Sequence, residues 1–315
     1  MIADTLVTGS NGFVGRSLVA TLGRTKVRRA LREPAADPQP GDFIMGDIDP
    51  RTDWRPALTG VDCVIHLAAR THVLKDTKDP FPAYRRINVE ATRNLAQQAA
   101  AAGVSRFVFL SSVKVNGEMT IAQPFTEGSL PRPQDAYGIT KRDAEDTLRH
   151  IGTETGMQIV ILRPPLVYGP GVKGNFLRLM HWVARGVPLP LASITNRRSL
   201  IYVENLVDAI IAAAQSPAAA GKTYLVGDSE DVSTPGLIQS IAAALQVRAR
   251  LFPCPPALLM AAATALGKRE EMRRLTGSLQ IDSSKIRSEL AWAPRFDLAQ
   301  GLARTAQWYL KGKIE

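Results

Sequence analysis

The chain has 315 residues, 45% of them hydrophobic, enough to bury a large core in one globule with a main lobe and a lesser one. Its formal charge is +10, but the densest basic groups (Arg28, Arg29, Arg32; Arg197, Arg198; Lys268, Arg269, Arg273, Arg274) are too small for a nucleic-acid footprint, and the excess reads as serving phosphate-bearing small molecules. No apolar run reaches the ~18 residues of a membrane span, Cys63 and Cys254 suit neither a metal nor a disulfide framework, and the N-terminus shows no signal-peptide pattern, so a cytoplasmic enzyme is expected.

Taken in chain order, short apolar runs predict strands at Thr5 to Thr8, Val27 to Leu31, Asp42 to Met45, Val61 to Ala68, Phe107 to Ser111 and Ile159 to Arg163. Amphipathic segments between them, including Gly12 to Leu22, Ile87 to Ala102 and Tyr137 to Ile151, predict helices. The alternation implies an α/β fold with a doubly wound parallel sheet of Rossmann type, binding its ligands at the carboxyl ends of the strands. Beyond Arg163 the texture changes to Pro and Gly punctuation, marking a boundary near residue 164. Leu200 to Val203 and Thr223 to Val226 read as strands able to return to the first sheet. The apolar stretch Cys254 to Leu266 reads as a buried helix rather than a membrane-surface element.

Between the first strand and the first helix lies Gly9-Ser10-Asn11-Gly12-Phe13-Val14-Gly15, with spacing GxxGxxG. Glycines there permit a tight turn, a close approach of backbone to a pyrophosphate and close helix packing, while the helix N-terminus faces the anion. This marks residues 1–163 as an NAD(P)-binding domain and 164–315 as mainly a smaller α/β substrate-binding lobe, apart from the strands near 199–226 that return. The second strand ends in Arg32-Glu33-Pro34, where a guanidinium can pair with a 2′-phosphate. NADP(H) is therefore favoured, with NAD(H) the alternative if Glu33 binds a ribose instead. Asp47 and Ile48, after the third strand, sit where an adenine ring can be clasped.

Tyr137-Gly138-Ile139-Thr140-Lys141 opens a helix, and the i, i+4 spacing puts phenol and ammonium on one face. A nearby cation is expected to lower the phenol pKa and make Tyr137 a usable acid or base. Upstream, Ser111-Ser112-Val113-Lys114-Val115-Asn116-Gly117 follows a buried strand, so Ser112 emerges at its carboxyl end and can hold a reacting oxygen for Tyr137.

Together these residues resemble the extended branch of the short-chain dehydrogenase/reductase superfamily, which contains nucleotide-sugar epimerases, dehydratases and reductases. The likeness extends through His66-Leu67-Ala68-Ala69, Asn88, Arg163-Pro164 to Gly169, Arg198 to Leu206 and Ser283-Ser284-Lys285 to Trp292. It implies Ser112, Tyr137 and Lys141 as a catalytic triad supported by Asn88, with Lys141 also holding the nicotinamide ribose. It places Leu67, Ala68 and Ala69 along the cofactor and Pro164 to Val167 beside the nicotinamide. For the substrate it implies Asn175 and Arg198 on a nucleotide diphosphate, Leu189 beside the base, and Arg274 as a weaker member of the phosphate cluster. Two departures matter. Asn116 stands where many relatives carry tyrosine, and Val113 and Lys114 replace the acidic pair of dehydratases, which disfavours a 4,6-dehydratase.

The function expected first is an NADPH-dependent reductase of a nucleotide-linked 4-keto sugar, such as a UDP-4-keto-6-deoxy-N-acetylhexosamine, in surface polysaccharide synthesis. The alternative is a UDP-hexose 4-epimerase, which must retain NAD and against which Arg32 speaks. A non-catalytic redox-sensing binder is expected to lose Tyr137 or Lys141, and a non-nucleotide carbonyl substrate leaves Asn175 and Arg198 without a diphosphate. Segments Ile87 to Ala102 and Asp143 to Ile151 are the places where a homodimer contact is sought.

Overall fold

A computed structural model describes residues 4–23, 27–71 and 79–312. In chain order the first half runs β1 (Thr5–Thr8), α1 (Phe13–Leu22), β2 (Val27–Leu31), β3 (Asp42–Ile44), α2 (Arg55–Leu58) and β4 (Cys63–His66). A helical run follows, made of α3 (Phe81–Arg85), a π-helical turn over Arg86–Ala91 and α4 (Thr92–Ala101); then come β5 (Arg106–Leu110), α5 (Ala136–Thr155) and β6 (Gln158–Arg163). The second half contains β7 (Leu166–Tyr168), α6 (Gly174–Ala184), β8 (Leu200–Tyr202), α7 (Val203–Gln215), β9 (Thr223–Leu225), α8 (Thr234–Ala244), α9 (Pro256–Ala265), α10 (Arg269–Thr276), α11 (Ser284–Leu290) and α12 (Leu298–Lys311).

Seven strands form one parallel sheet in the order β3-β2-β1-β4-β5-β6-β9. Strand side chains alternate between its faces. Leu6, Phe107 and Phe109 join Leu95, Leu148 and Trp54 on one side, while Val7 and Val108 join Leu18, Leu206 and Ile210 on the other. Burial on both faces is why these strands read as continuous apolar runs. The chain reverses its direction of travel across the sheet between β1 and β4, whose ends meet at the pair Thr8 and His66. A crevice at this switch point is where such sheets bind ligands.

The doubly wound sheet is as expected, and Thr223 to Val226 does return to it: β9 takes the edge of β6. Leu200 to Val203 does not. With that edge occupied, β8 pairs instead with β7 in a separate two-stranded parallel sheet, which starts after Pro164 and Pro165 have ended β6, since proline cannot donate to a ladder.

The expectation of a buried helix at Cys254 to Leu266 is also corrected. Within α9 only Leu259 and Ala263 are buried, because the helix lies on the outside of the C-terminal core and docks by one stripe. In the two segments considered for a dimer, Leu95, Ala96, Ala99, Leu148 and Ile151 pack into the core beneath the sheet, so their apolar faces give no argument for a second copy. Among the described residues no helix is long and apolar enough to cross a membrane.

Candidate active site

The loop between β1 and α1 is shaped by its glycines. Gly9 has φ +69, and a Cβ there would lie 2.8 Å from the backbone nitrogen of Ala68; a Cβ on Gly15 would lie 2.1 Å from the Gly9 oxygen. The Gly12 N–H donates to that same oxygen at 2.9 Å. This packing brings Gly9 against Leu67 and Ala68 beyond β4, and Phe13 near Gly171 in the loop after β7. The buried Ser10 hydroxyl has no hydrogen-bond partner among the described residues. Asn11 and Gly12 are exposed at the start of α1, while Phe13 and Val14 are half-buried. A backbone cradle too tight for side chains, ending in free helix N–H groups, fits a dinucleotide pyrophosphate.

Arg32, expected at a 2′-phosphate, and Asp47, expected at the adenine, face each other. Arg32 Nε lies 2.6 Å from Asp47 Oδ1, and both side chains are largely exposed. Asp47 thus occupies one edge of the Arg32 guanidinium, which weakens the argument from sequence for a 2′-phosphate there. Ile48 is half-buried and packs on the core beneath the sheet.

Tyr137 lies in the first turn of α5, whose N-cap Asp135 accepts from the Gly138 N–H at 2.7 Å. Its ring meets Tyr84 edge-on at 6.3 Å. Lys141, one turn on, is fully buried, with its Nζ 3.8 Å from the centre of the Phe109 ring. Burial pushes its pKa down to about 7, opposed by Glu145.

The phenol departs from the expectation of a lowered pKa. Tyr137 is only partly exposed, and desolvation pushes its pKa up, with Asp135 and Tyr84 adding to the rise. The cation that was to lower it is itself weakened by burial and packs against Phe109. In this arrangement the phenol holds its proton.

Ser112, two residues beyond β5, caps the 3-10 turn that follows, accepting from the Lys114 N–H at 3.2 Å. Across the crevice, Asn88 sits in the π-helical turn, a feature common at functional sites. It accepts from the Arg70 N–H at 2.8 Å and donates to the Arg70 carbonyl and to Thr140 Oγ1, both at 3.1 Å. It therefore ties the loop after β4 to the turn of α5 between Tyr137 and Lys141. Pro164 accepts from the Val113 N–H at 2.9 Å, joining the ends of β5 and β6, and Val167 is half-buried beside them.

The structure also gathers basic groups at the start of the C-terminal lobe. Arg198 donates to the carbonyls of Arg274 and Gly277 at 2.5 and 3.1 Å. Its pKa is lowered by burial and by the neighbouring Arg274 guanidinium. A half-buried guanidinium with no carboxylate beside it among the described residues favours a nearby anion, whereas Arg274 already faces Glu118 at 3.3 Å. Asn175 is exposed at the start of α6 and accepts from Arg178 at 3.1 Å. Leu189 is not brought to the others: it is buried in the C-terminal core, with its backbone paired to Arg250 and Phe252.

Sequence reasoning missed the charges that connect these groups. Lys114 pairs with Asp135 and lies 3.2 Å from Glu118, which in turn lies 3.3 Å from Arg274. One ionic chain thus runs from the N-cap of α5 to the basic cluster. A second network is buried: Arg163 makes bonds of 2.9 and 2.5 Å to Glu145, and Glu145 also accepts from Ser111 at 2.5 Å. Arg163 donates to Asn116 at 3.1 Å, which gives the asparagine at that position a structural task. Only Glu145, four residues after Lys141, had a local signal. His66, whose role no local pattern signals, shares hydrogen bonds with Thr8 at 2.6 Å and Thr92 at 2.9 Å. Burial, and then Lys141, push its pKa down to about 3.

The NAD dependent epimerase/dehydratase family model matches residues 5–227. The UDP-glucose 4-epimerase of Vibrio cholerae is 41% identical over 312 residues, 97% of this chain and 95% of that protein. The GDP-6-deoxy-D-mannose reductase of Pseudomonas aeruginosa is 29% identical, over 94% of this chain and 93% of its own length. The structure of MoeE5 in complex with UDP-glucuronic acid and NAD matches with a TM-score of 0.79 at 27% identity, over 98% of this chain and 99% of that one. With the family model spanning the whole sheet, the glycine cradle and the Tyr137–Lys141 helix, the chain is an NAD(P)-dependent enzyme that belongs to the NAD-dependent epimerase/dehydratase family.

Proposed function

We propose that the protein is a cytoplasmic enzyme that transfers hydride at C4 of a nucleotide-linked sugar, in the reducing direction, from NADPH to a 4-keto sugar such as a UDP-4-keto-6-deoxy-N-acetylhexosamine, on the way to surface polysaccharide. Residues 1–163, completed by β9, hold the cofactor, and residues 164–315 mainly hold the substrate. The observation that supports the direction is Arg32 at the end of β2, an exposed guanidinium that can meet the 2′-phosphate of NADPH through the edge that Asp47 leaves, since an epimerase keeps NAD. A bound nicotinamide supplies the hydride.

The chain's own residues do the rest. Ser112 holds the carbonyl oxygen, Tyr137 gives its proton to that oxygen as C4 becomes a carbinol, and Lys141 resupplies the phenol. Asn88 fixes the turn of α5 that carries both. Arg198, Arg274 and Asn175 bind the diphosphate, as the charge cluster supports.

A second reading is supported by the 41% identity to a UDP-glucose 4-epimerase over nearly the whole chain. An epimerase oxidises C4 and then reduces its other face, so it must keep NAD. Binding titrations with NADPH and NADH separate the two, on the wild type and on Arg32→Ala. The reductase reading expects tighter NADPH binding and a gap that closes in the variant. NAD that co-purifies and is not displaced by NADPH selects the epimerase.

A further inference from the structure

Helix α9 carries two apolar stripes. One, Leu259 and Ala263, is buried in the C-terminal core. The other, Leu258, Ala261, Ala262, Ala265 and Leu266, falls at i, i+3, i+4, i+7 and i+8 and is exposed along its length. Leu258 and Leu266 show 61% and 73% of their surface. From Leu251 to Gly267 the chain has no charged residue at all. Single exposed apolar side chains are ordinary, but a continuous stripe on a helix face marks an interaction surface. Phe252, 46% exposed, extends it, and its backbone pairs with Leu189 and Ala192, which brings the exposed Val187 alongside.

The charge around this face is mainly positive. Residues 155–203 contain six Lys and Arg residues and no Asp or Glu, and residues 232–269 contain four and none. Of these bases Arg163 is buried and paired with Glu145, and Glu270 and Glu271 follow in the first turn of α10, so the positive excess rests on the exposed bases near the stripe. Arg185, Arg248, Arg250, Lys268 and Arg269 are exposed, and the Arg250 guanidinium lies beside Gly186. A face that joins an apolar stripe to a net excess of exposed positive charge, five bases against Glu270 and Glu271, matches an anionic bilayer, which offers acyl chains beneath negative headgroups. A helix of 10 residues is too short to span, so it would lie in the interface.

We propose that the outer face of α9, with its basic surround, docks this protein on an anionic phospholipid bilayer. Helix α10, which packs against α9 and carries Arg274, is thereby held close to the membrane surface. The docking does not depend on whether the reaction is a reduction or an epimerisation.

The test is co-sedimentation of the full chain with vesicles of phosphatidylglycerol and phosphatidylcholine, or of phosphatidylcholine alone. Wild type is expected to sediment with the anionic vesicles and to be released by salt. Leu258→Asp/Leu266→Asp should weaken the partition by at least about tenfold, and Arg248→Ala/Arg250→Ala by about fivefold per charge removed. Because the replaced side chains are exposed, both variants should keep wild-type melting temperature and cofactor affinity. Wild type that stays in the supernatant with both vesicle types overturns the proposal, as does undiminished binding by the Asp variant. A dimer in free solution that Leu258→Asp/Leu266→Asp dissociates assigns the face to a second copy and overturns it as well.

Discussion

Tyr137 and His66 are the two side chains whose protonation the fold controls most plainly, and each yields a prediction. For Tyr137, replacement by phenylalanine removes the proton and little else. The Tyr137→Phe variant should lose about 10²- to 10⁴-fold in turnover while cofactor affinity and melting temperature stay as in the wild type. Turnover at the wild-type level would remove the phenol from the reaction. His66 is held near pKa 3 against an ordinary 6.5. Between those values the unfolded chain binds a proton that the folded chain refuses, so stability falls as pH is lowered through that window. Denaturant unfolding of His66→Gln should therefore show a shallower fall from about pH 6.5 to about pH 3, and an identical slope in variant and wild type contradicts the buried neutral imidazole.

At the scale of elements, what could be read from sequence was what is local. The glycine loop lies between one strand and one helix, and Tyr137 and Lys141 sit one turn apart, so spacing alone found them. The partners that fix these groups are remote in sequence. Asn88 reaches Thr140 across 52 positions, Arg163 reaches Asn116 across 47, and no periodicity signals either. The misplacement of Leu200 to Val203 has the same origin: a short apolar run fits any open edge, and only β9 occupying β6 decides which.

Two substitutions test the element-level account. Gly15→Ala places a methyl within the carbonyl of Gly9, so α1 must move off the sheet; cofactor binding should be lost and the melting temperature should drop. Retained affinity in that variant rules out the cradle as the pyrophosphate site. Glu145→Gln leaves the buried Arg163 guanidinium short of its counter-charge between α5, β5 and β6. Breaking such a pair costs about 3–5 kcal/mol, measurable as a lower denaturant midpoint, whereas a loss below about 1 kcal/mol would class the pair with exposed ones.

For the molecule as a whole, the cofactor half and the substrate half meet through the ionic chain from Asp135 by way of Lys114 and Glu118 to Arg274. If that chain couples diphosphate binding to the placement of α5, Glu118→Gln should weaken binding of UDP and also lower turnover at saturating substrate; a change in UDP affinity alone confines Glu118 to the phosphate cluster. Reduction at C4 can be observed directly. Purified protein is mixed with NADPH and a UDP-4-keto-6-deoxy-N-acetylhexosamine, and both nicotinamide oxidation and the sugar product are followed. One NADPH should be oxidised for each 4-keto sugar converted to its 4-hydroxy product, with no such conversion by Tyr137→Phe. Interconversion of UDP-hexoses with no net change in the nicotinamide, and no consumption of NADPH by the keto sugar, contradicts the reduction at C4.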